Sequence, residues 1–503
     1  MNHKELYQSY LKNKESFHCY INKIKYNAKF DIYTIINSTL IKNPYNTKFP
    51  IKFFLMDFPK KSSYLFSFIK NIIKFYKRYY LFFINYFFQF ILFKILYKKK
   101  KLSFSDKDIL VDVFLSLNTS NKLNDTYFTG LSNILKEHNK NCIFIARLLF
   151  IQEDYSSLKD FTKFIKFSNS SKQDILFEHE LLSLKDFITL FYLISVYPFK
   201  TLRLLQKSTN KIDDLFNHEL LNDINIVSFK AFSRYIFGKN ISKFKNINRI
   251  YLWCEHQVIE RSFNYGIRQH NKNIELIGCQ FLINFETYFN SYIDDLDFEM
   301  KSSPHKVLVN GNYYLLNRKK VKYEIGVSLR YKKLFQYNYK REGNKILILG
   351  SYIYEDTLFM INSMKEFKNV IFKPHPTMDI HKLGKIPNNI IISNQNIYEL
   401  FKTTQIAIGN ASGTSVEAVS CQIPMIIIPS KDMILPNTLI SYGKGEIWDV
   451  AFSDTDIKKV YSNLINYNNK YPNRIKNISN WYKKEFFTEP NHQNIIQTFN
   501  LDL

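Results

Sequence analysis

The C-terminal part of the chain alternates short apolar runs with amphipathic segments. The apolar runs begin at Lys345 and are KILILG, NVIFKPHP, NIIIS, QIAIGNASG and IPMIIIPS. Segments with apolar residues at helical spacing, such as IYELFKTT and TSVEAVSC, lie between them. Uninterrupted isoleucine-rich strands are typical of a parallel sheet with helices on both faces. The pattern predicts a doubly wound α/β domain over residues 345–480, followed by a helix within 481–503 that packs back on the N-terminal domain.

A less regular alternation precedes this part and predicts another α/β domain over residues 105–330. It opens with a strand, a loop, a helix and a second strand in DILVDVFLSLNTSNKLNDTYFTGLSNILKEHNKNCIFIARLLF, which is a βαβ unit. Further strands are predicted in RIYLWCE (249–255), IELIGCQ (274–280) and KVLVNG (306–311). Residues 150–245 have no clear pattern, and a basic stretch over 317–345 marks the junction between the two domains.

The N-terminal region, residues 1–104, contains the most apolar segment of the chain. This segment, residues 68–101, is rich in Phe, Tyr and Ile and carries lysines at both ends. Its uncharged run, Tyr79–Phe93, is shorter than the ~20 residues that a membrane-spanning helix needs. Aromatic residues mixed with lysines suit a helix that lies in the interface of an anionic bilayer. A pair of helices buried in the first domain is the alternative.

The chain carries 70 Lys and Arg against 44 Asp and Glu, which gives a net charge of +26. This charge suits nucleic acid, an anionic membrane or an anionic substrate, and it also fits a general bias toward Lys, Asn, Ile, Tyr and Phe. The basic residues are spread along the chain without an RNP-like, zinc-finger or helix-turn-helix pattern, so a nucleic-acid partner is not expected. Five scattered cysteines without a CxxC pair, and an N-terminus without an apolar signal core, favour a reducing cytoplasm.

The sharpest local feature is IGNASGTSVEAVSCQIP, in which an apolar strand ends at Ile408 and a turn of small residues leads into a helix. Gly409 and Gly413 permit a tight backbone, and three residues add hydroxyl groups: Ser412, Thr414 and Ser415. Backbone N–H groups and hydroxyls beside the positive end of a helix dipole form a site for a phosphate group. The alternative is structural, because Thr414 and Glu417 have the spacing of a capping box.

A stiff turn follows the predicted strand NVIFK. Pro374 and Pro376 each fix their own φ, and Pro376 keeps His375 out of the α region, so the imidazole leaves the strand end in one direction. A group held in this way meets a ligand at little cost in conformational entropy, and Lys373 adds a point charge beside it. The alternative is a histidine that only ends a strand. Because both motifs follow strands of one parallel sheet, they are expected over the same crevice.

The two motifs together resemble a known family. The run Lys373–Pro374–His375–Pro376, followed by Ser412–Gly413–Thr414–Ser415, Glu417 and QIP, is similar to the donor-binding domain of GT-B glycosyltransferases of bacterial surface polysaccharides. The resemblance is closest to the users of CMP-sugars, which are the bacterial sialyltransferases and the β-Kdo transferases. It is firm over 345–430 and thinner over 105–140 and 250–312. There LNDTYFTGLSNILKEHN and WCEHQVIERSFNYGIRQH resemble blocks of a surface-carbohydrate biosynthesis family.

The resemblance implies a fold, a donor and a set of site residues. The fold is α/β of the GT-B type, with two Rossmann-like domains that face a cleft and an apolar, basic helical segment in the N-terminal half. His375 and the hydroxyls of the 412–415 turn would bind the phosphate of CMP, Glu417 would reach the ribose, and Lys373 would assist. His375 is also a candidate general acid for the departing phosphate.

Glycosyl transfer also needs a carboxylate that takes the proton of the acceptor hydroxyl. The block WCEHQVIER offers Glu255 at the end of a predicted strand and Glu260 about one helical turn later. Glu255 is the favoured base and Glu260 the second candidate, although both also suit surface carboxylates or partners of Arg261 or Arg268. Asp125 is a weaker candidate for the base. Three further residues are possible contacts of the acceptor or donor: His256, Gln257 and His270.

The resulting hypothesis is a cytoplasmic glycosyltransferase, peripheral on the inner membrane of a bacterium. It would move Kdo or a sialic-type ulosonate from a CMP donor to a lipid-linked surface glycan of a capsule, lipopolysaccharide or O-antigen. No D-x-D motif accompanies the donor motifs, so neither a metal nor a cofactor is expected. The first alternative is a polyol-phosphate transferase with a CDP-glycerol-type donor, and the second is a non-enzymatic nucleic-acid-binding protein.

Overall fold

Helices precede the first sheet of the protein. The computed structural model describes residues 3–59, 64–99, 104–105, 107–117, 123–124, 127–148, 158–338, 343–376, 378–410, 412–430, 434 and 437–501. The first helices are α1 (His3–Tyr26), α2 (Ile32–Lys42), α3 (Phe49–Leu55) and α4 (Tyr64–Leu96). The apolar segment of the sequence lies largely in α4, which contains neither Gly nor Pro and runs unbroken for 33 residues.

The N-terminal domain is built on a mostly parallel sheet. Its strands are β1 (Asp108–Leu117), β2 (Leu123–Asn124), β3 (Asn141–Leu148), β4 (Asp174–Leu176), β5 (Arg249–Trp253), β6 (Glu275–Gln280), β7 (Lys306–Val309) and β8 (Lys322–Ile325). Their order in the sheet is β4-β3-β1-β5-β6-β7-β8, and β2 pairs antiparallel with β1. Strand β1 pairs in parallel with both β3 and β5, so these three form the centre of the sheet.

Helices cover this sheet and fill the region that has no clear sequence pattern. They are α5 (Leu131–Glu137), α6 (Leu158–Ser170), α7 (Glu178–Leu181), α8 (Leu184–Thr201), α9 (Lys211–Asp223), α10 (Phe229–Ile241), α11 (Val258–Arg268), α12 (Asp295–Glu299) and α13 (Lys332–Gln336). Residues 158–241 therefore form the helices α6 to α10. The short strand β4 is the only strand that the structure describes in this range.

The C-terminal domain contains a fully parallel sheet of six strands. The strands are β9 (Lys345–Leu349), β10 (Val370–Lys373), β11 (Ile390–Ile392), β12 (Thr404–Gly409), β13 (Met425–Ile427) and β14 (Trp448–Val450), in the order β11-β10-β9-β12-β13-β14. The helices are α14 (Tyr354–Ser363), α15 (Ile397–Phe401), α16 (Thr414–Ser420), α17 (Asp454–Lys470), α18 (Pro472–Phe486) and α19 (His492–Phe499).

Successive residues of the central strands enter two different cores. Leu347 packs in the core on one face of this sheet, whereas its neighbours Ile346 and Ile348 pack in the core on the other face. Both faces are therefore covered by apolar side chains, which explains the uninterrupted isoleucine runs of the sequence.

The two domains touch at the carboxyl ends of their strands. Ile283, which follows β6, packs so closely on Gly413, which follows β12, that a Cβ at Gly413 would lie 3.0 Å from that of Ile283. Beyond the second sheet the chain returns to the first, because the Tyr251 hydroxyl donates a 2.9 Å hydrogen bond to the carbonyl of Phe499 in α19. The predicted fold class, α/β with two Rossmann-like domains facing a cleft, is confirmed, as is the helical segment in the N-terminal half.

Candidate functional site

The turn after β12 is not closed by the capping box that the sequence allows. Helix α16 begins at Thr414 with Gly413 as its N-cap, and no side chain caps it. The Ser412 hydroxyl instead accepts a 3.2 Å hydrogen bond from the backbone N–H of Thr414. The Glu417 carboxylate accepts a hydrogen bond from the Tyr398 hydroxyl and does not cap the helix. The structural alternative for this motif is therefore wrong, because a tertiary partner outcompetes the local one.

Ser415 is the second unusual residue of this turn. Its side chain is fully buried, yet its hydroxyl has no hydrogen-bond partner within the described part of the chain. A buried hydroxyl without a partner typically costs about 1–3 kcal/mol. The buried hydroxyl of Ser415 thus adds to the polar groups packed beneath this turn.

The KPHP turn follows β10 on the same edge of the sheet. His375 is half-buried, and burial lowers the pKa of its imidazole, so the ring is neutral at neutral pH. Its ring lies edge-on to that of Tyr352, with 6.0 Å between the centroids. The Lys373 ammonium donates a 2.7 Å hydrogen bond to the carbonyl of Gln395, and burial lowers its pKa. One of the three N–H donors of the Lys373 ammonium is thus used within the protein.

Strand β9 separates the two turns, and Gly350 ends it. Since neighbouring strands are spaced about 4.8 Å apart, β10 and β12 are about 10 Å apart across β9. A Cβ at Gly350 would lie 2.9 Å from the backbone nitrogen of His375 and 3.1 Å from the carbonyl oxygen of Lys373. Only glycine therefore leaves the KPHP turn where it is. Sequence reasoning missed this residue, although the glycine directly after KILIL was a usable signal.

A buried carboxylate fixes the loops beneath this edge. Asp356, in the first turn of α14, accepts hydrogen bonds from the Asn410 amide at 2.6 Å and from the Ser430 hydroxyl. These two partners follow β12 and β13, so one side chain ties together three loops of the crevice. Asp356 was also missed, since its partners are 54 and 74 residues away in the sequence.

Glu255 lies on the opposite wall, just beyond the end of β5. It is half-buried, and both of its oxygens accept hydrogen bonds, one from the Trp253 indole at 3.1 Å and one from the Gln257 amide at 2.6 Å. These donors are neutral, and a carboxylate oxygen has more than one lone pair. The carboxylate is therefore oriented while it can still accept the proton of an incoming hydroxyl.

Glu260 is not comparable, although the sequence makes it the second candidate. Its side chain is 2% exposed, and its oxygens accept from Arg147 at 2.6 Å and from the backbone N–H of Gln257 at 2.8 Å. Burial raises the pKa of Glu260 to about 7, against the opposing effect of Arg147. Both oxygens are bound inside the domain, so this carboxylate stabilises the start of α11 and does not open onto the cleft.

The remaining predicted residues around this block lie elsewhere. His256 is fully buried with a left-handed φ of 57°, and His270 follows the far end of α11, about 16 Å along the helix. Arg261 pairs with Asp297, and Arg268 donates to the carbonyl of Ser303. Neither arginine is therefore the partner of Glu255 or Glu260. Gln257 orients Glu255, and Asp125 lies outside the described residues.

Arg330 joins the two walls and was not singled out in the sequence. Its guanidinium lies 5.9 Å from the ring of Tyr127, whose ring is in turn 3.6 Å from that of Trp253, the residue that holds Glu255. Burial raises the pKa of Glu417, and the nearby Tyr398 hydrogen bond and Arg330 charge oppose this rise. Arg330 is exposed and has no hydrogen bond or ion pair with any described residue. It is a cation that lies near residues of both walls, the Tyr127 ring and the Glu417 carboxylate.

Similar proteins were found by structure but not by sequence. No known protein family and no curated protein matches the sequence. The glycotransferase of kitacinnamycin aligns with a TM-score of 0.43 at 10% identity, over 78% of this chain and 97% of that one. The glycosyltransferase SnogD from Streptomyces nogalater aligns with a TM-score of 0.38 at 10% identity, over 78% and 98%.

A third solved structure with comparable similarity is of another kind of protein. The UDP-GlcNAc 2-epimerase of Methanocaldococcus jannaschii, in complex with UDP-GlcNAc and UDP, aligns with a TM-score of 0.43 at 10% identity, over 78% of this chain and 99% of that one.

Proposed function

We propose that this protein is a glycosyltransferase that uses a nucleotide-activated sugar. One observation carries the proposal: two turns suited to a phosphate and one oriented carboxylate face each other across a single crevice. The turns contain His375 and Ser412 and follow β10 and β12, and the carboxylate is Glu255 beyond β5. The contact between Ile283 and Gly413 brings the two strand edges together. Ligands of parallel α/β sheets bind at such edges.

The reaction follows from these positions. The donor phosphate lies between the His375 and Ser412 turns, over Gly350. Glu255 takes the proton of the acceptor hydroxyl. At the same time the oxygen of this hydroxyl forms a bond to the anomeric carbon of the donor sugar. The bond between that carbon and the phosphate oxygen breaks, and the nucleotide leaves with the bonding electrons. The negative charge that develops on the phosphate is stabilised by the Ser412 hydroxyl, which accepts from Thr414 and can still donate its own proton, by His375 and by Arg330.

The donor and the acceptor are proposed more specifically. A CMP-linked ulosonate such as Kdo or a sialic acid carries one phosphate between sugar and nucleoside, which suits a site with a neutral imidazole and hydroxyls. A growing surface glycan on a lipid is the proposed acceptor. A site of action on the cytoplasmic face of the inner membrane, and a reaction that needs no metal or cofactor, remain predictions.

Nucleotide titration tests the proposal directly. We expect CMP to bind the purified protein, and His375→Ala and Ser412→Ala each to weaken this binding about tenfold or more, because each removes a hydrogen bond to a charged phosphate. Calorimetry with CMP, CDP and UDP measures the effect. His492→Ala on α19 and Ser462→Ala on α17, both exposed, are the matched controls and should bind like the wild type.

Each result of this titration has a clear meaning. Tighter binding of UDP than of CMP would keep the site and overturn the donor. Tighter binding of CDP would call for mass spectrometry of the transferred group, since a polyol phosphate differs from an ulosonate in mass. Absence of any nucleotide binding would contradict the proposed function.

Replacement of Arg330 tests the link between the two walls. We expect Arg330→Ala to lower kcat by about 100-fold, because the charge on the leaving phosphate loses an unpaired cation, while Arg330→Lys keeps part of the rate. Transfer of radiolabelled sugar from the donor measures the rate, and calorimetry of CMP separates it from ground-state binding. If the Ala variant kept the full kcat at an unchanged melting temperature, Arg330 would have no role in the transfer.

A further inference from the structure

Helices α4 and α8 expose much of their apolar surface. By length and composition, two helical stretches of the described residues are able to cross a membrane, Phe66–Leu96 and Leu184–Leu204. Only 33% of the most apolar window of the first and 44% of that of the second is buried. The core helix of a water-soluble protein with this hydropathy would be mostly buried. Much of the outer surface of these two helices is therefore not covered by the part of the chain that the structure describes.

The long helix α4 has two different faces. One face, which includes Phe75, Tyr79, Phe82 and Tyr86, is at most 8% exposed and packs in the core of the N-terminal half. The opposite face carries large apolar side chains that are 38% to 72% exposed and recur every three or four residues on either side of Lys77. They are Phe66, Ile69, Ile73, Leu81, Ile84, Phe88, Ile91 and Ile95. The exposed residues thus form one stripe along the helix, which is interrupted at the exposed Lys77.

Helix α8 lies beside α4 and adds a second row of exposed apolar residues. Its exposed apolar residues are Leu184, Ile188, Phe191, Tyr192 and Phe199, which are 47% to 72% exposed. Phe191 stacks on Tyr80 of α4, with 5.3 Å between the ring centroids, and the Tyr76 hydroxyl donates a 2.6 Å hydrogen bond to the carbonyl of Ser195. The two helices are therefore fixed side by side, and their exposed stripes meet at Phe191. We call these exposed residues together the α4–α8 face.

The charges of helix α4 have one sign. Helix α4 contains five basic residues and no Asp or Glu. Lys70, Lys74 and Lys77 are exposed in the first half of its stripe, and none of them has a carboxylate partner among the described residues. Lys94 lies near the other end, with its ammonium 5.1 Å from the ring of Phe90. The stretch from Leu81 to Ile91 between them carries no charge. The apolar residues suit the acyl-chain region of a lipid surface, and the lysines that flank them suit its anionic headgroups.

We infer that the α4–α8 face docks the protein on an anionic lipid bilayer, with both helices lying in the interface. They do not span the membrane, because the opposite face of each helix is part of the protein core along most of its length. A second copy of the chain is a poorer occupant, since a symmetric contact would bring the same unpaired lysines together. This inference goes beyond the proposed transfer reaction and stands independently of it.

Vesicle flotation with the full chain tests the inference. We expect the protein to float with vesicles of phosphatidylglycerol and phosphatidylcholine and to bind pure phosphatidylcholine vesicles more weakly. The variant Ile84→Glu/Phe88→Glu should lower binding about tenfold or more, because it places two charges in the apolar centre of the face. Replacement of Lys70, Lys74 and Lys77 by Ala should lower binding to the anionic vesicles by roughly a hundredfold.

The controls separate docking from folding and from the donor site. Ile391→Glu changes an isoleucine of the C-terminal domain that is 64% exposed, more than Ile84 at 49%, and should float like the wild type. CMP affinity, measured on the same variants, should not change if they are folded. Equal flotation of all variants, or no flotation with either kind of vesicle, would overturn the inference. So would a wild-type dimer that Ile84→Glu/Phe88→Glu dissociates and that never floats, because a second copy would then cover the face.

Discussion

Replacement of Glu255 by glutamine is expected to lower the rate of sugar transfer by roughly 10²–10⁴-fold, the usual effect of removing a general base. Glutamine keeps the size of the side chain and can still accept from Trp253, although it loses the hydrogen bond from the Gln257 amide. CMP affinity should stay within about twofold of the wild type, because Glu255 lies on the wall opposite the donor turns. Single-turnover transfer of sugar from the bound donor, together with calorimetry, measures both effects.

The matched control is Glu275→Gln on the neighbouring strand. Glu275 is half-buried like Glu255 but lies at the amino end of β6, where it accepts a 2.9 Å hydrogen bond from Arg249 of β5. It is about 20 Å from Glu255 along the strand direction and should keep the full rate. If Glu255→Gln also kept the full rate, the base would lie elsewhere, and Asp125→Asn would be the next variant.

Motifs that are local in sequence could be predicted, and those that depend on strand order could not. The prolines around His375 and the small residues around Ser412 are adjacent in the chain, so their chemistry can be read directly. Gly350 gains its meaning only because β9 lies between β10 and β12. Arg330 is in a basic stretch in which no single residue stands out, and only the packing of Tyr127 on Trp253 places it in the crevice.

The helices from α6 to α10 could not be predicted from the sequence for a related reason. Periodicity reveals a helix when one face is apolar and the other polar. Helix α8 instead has apolar residues on both faces, such as the buried Leu190 and the exposed Ile188. An exposed apolar surface removes the contrast on which the prediction depends. The regular apolar runs of β9 to β13 pose no such difficulty, because both faces of that sheet are covered by protein.

The choice between Glu255 and Glu260 shows the same limit within one motif. Both residues were candidates because they are close together in WCEHQVIER. What separates them is Arg147, which is 113 residues away from Glu260 and holds it inside the domain. Arg147 depends in turn on Asp112, a charged residue in the middle of the apolar strand β1. A buried charge in a strand predicts some partner, but the sequence does not tell which one.

Replacement of Asp112 by asparagine is expected to destabilise the protein by about 3–5 kcal/mol, because it leaves two buried arginines without their shared counter-ion. Asp112 is fully buried and accepts from Arg147 at 3.0 Å and from Arg234 at 2.5 Å. Burial alone would raise its pKa, but the two arginines outweigh this and lower it. Urea unfolding measures the loss, and Asp160→Asn, in a surface pair with Lys163, should change stability by less than about 0.5 kcal/mol.

The pH dependence gives the second readout of the same network. Since the folded pKa of Asp112 is lowered, its contribution is present above the pKa of the unfolded chain and is lost as the pH falls through the folded pKa. The difference in stability between wild type and Asp112→Asn should therefore shrink on acidification, whereas a constant difference would contradict the charge pairing. Arg147 also donates a 3.2 Å hydrogen bond to the carbonyl of Trp253, whose indole holds Glu255. Loss of Asp112 should consequently lower the transfer rate even in the molecules that remain folded.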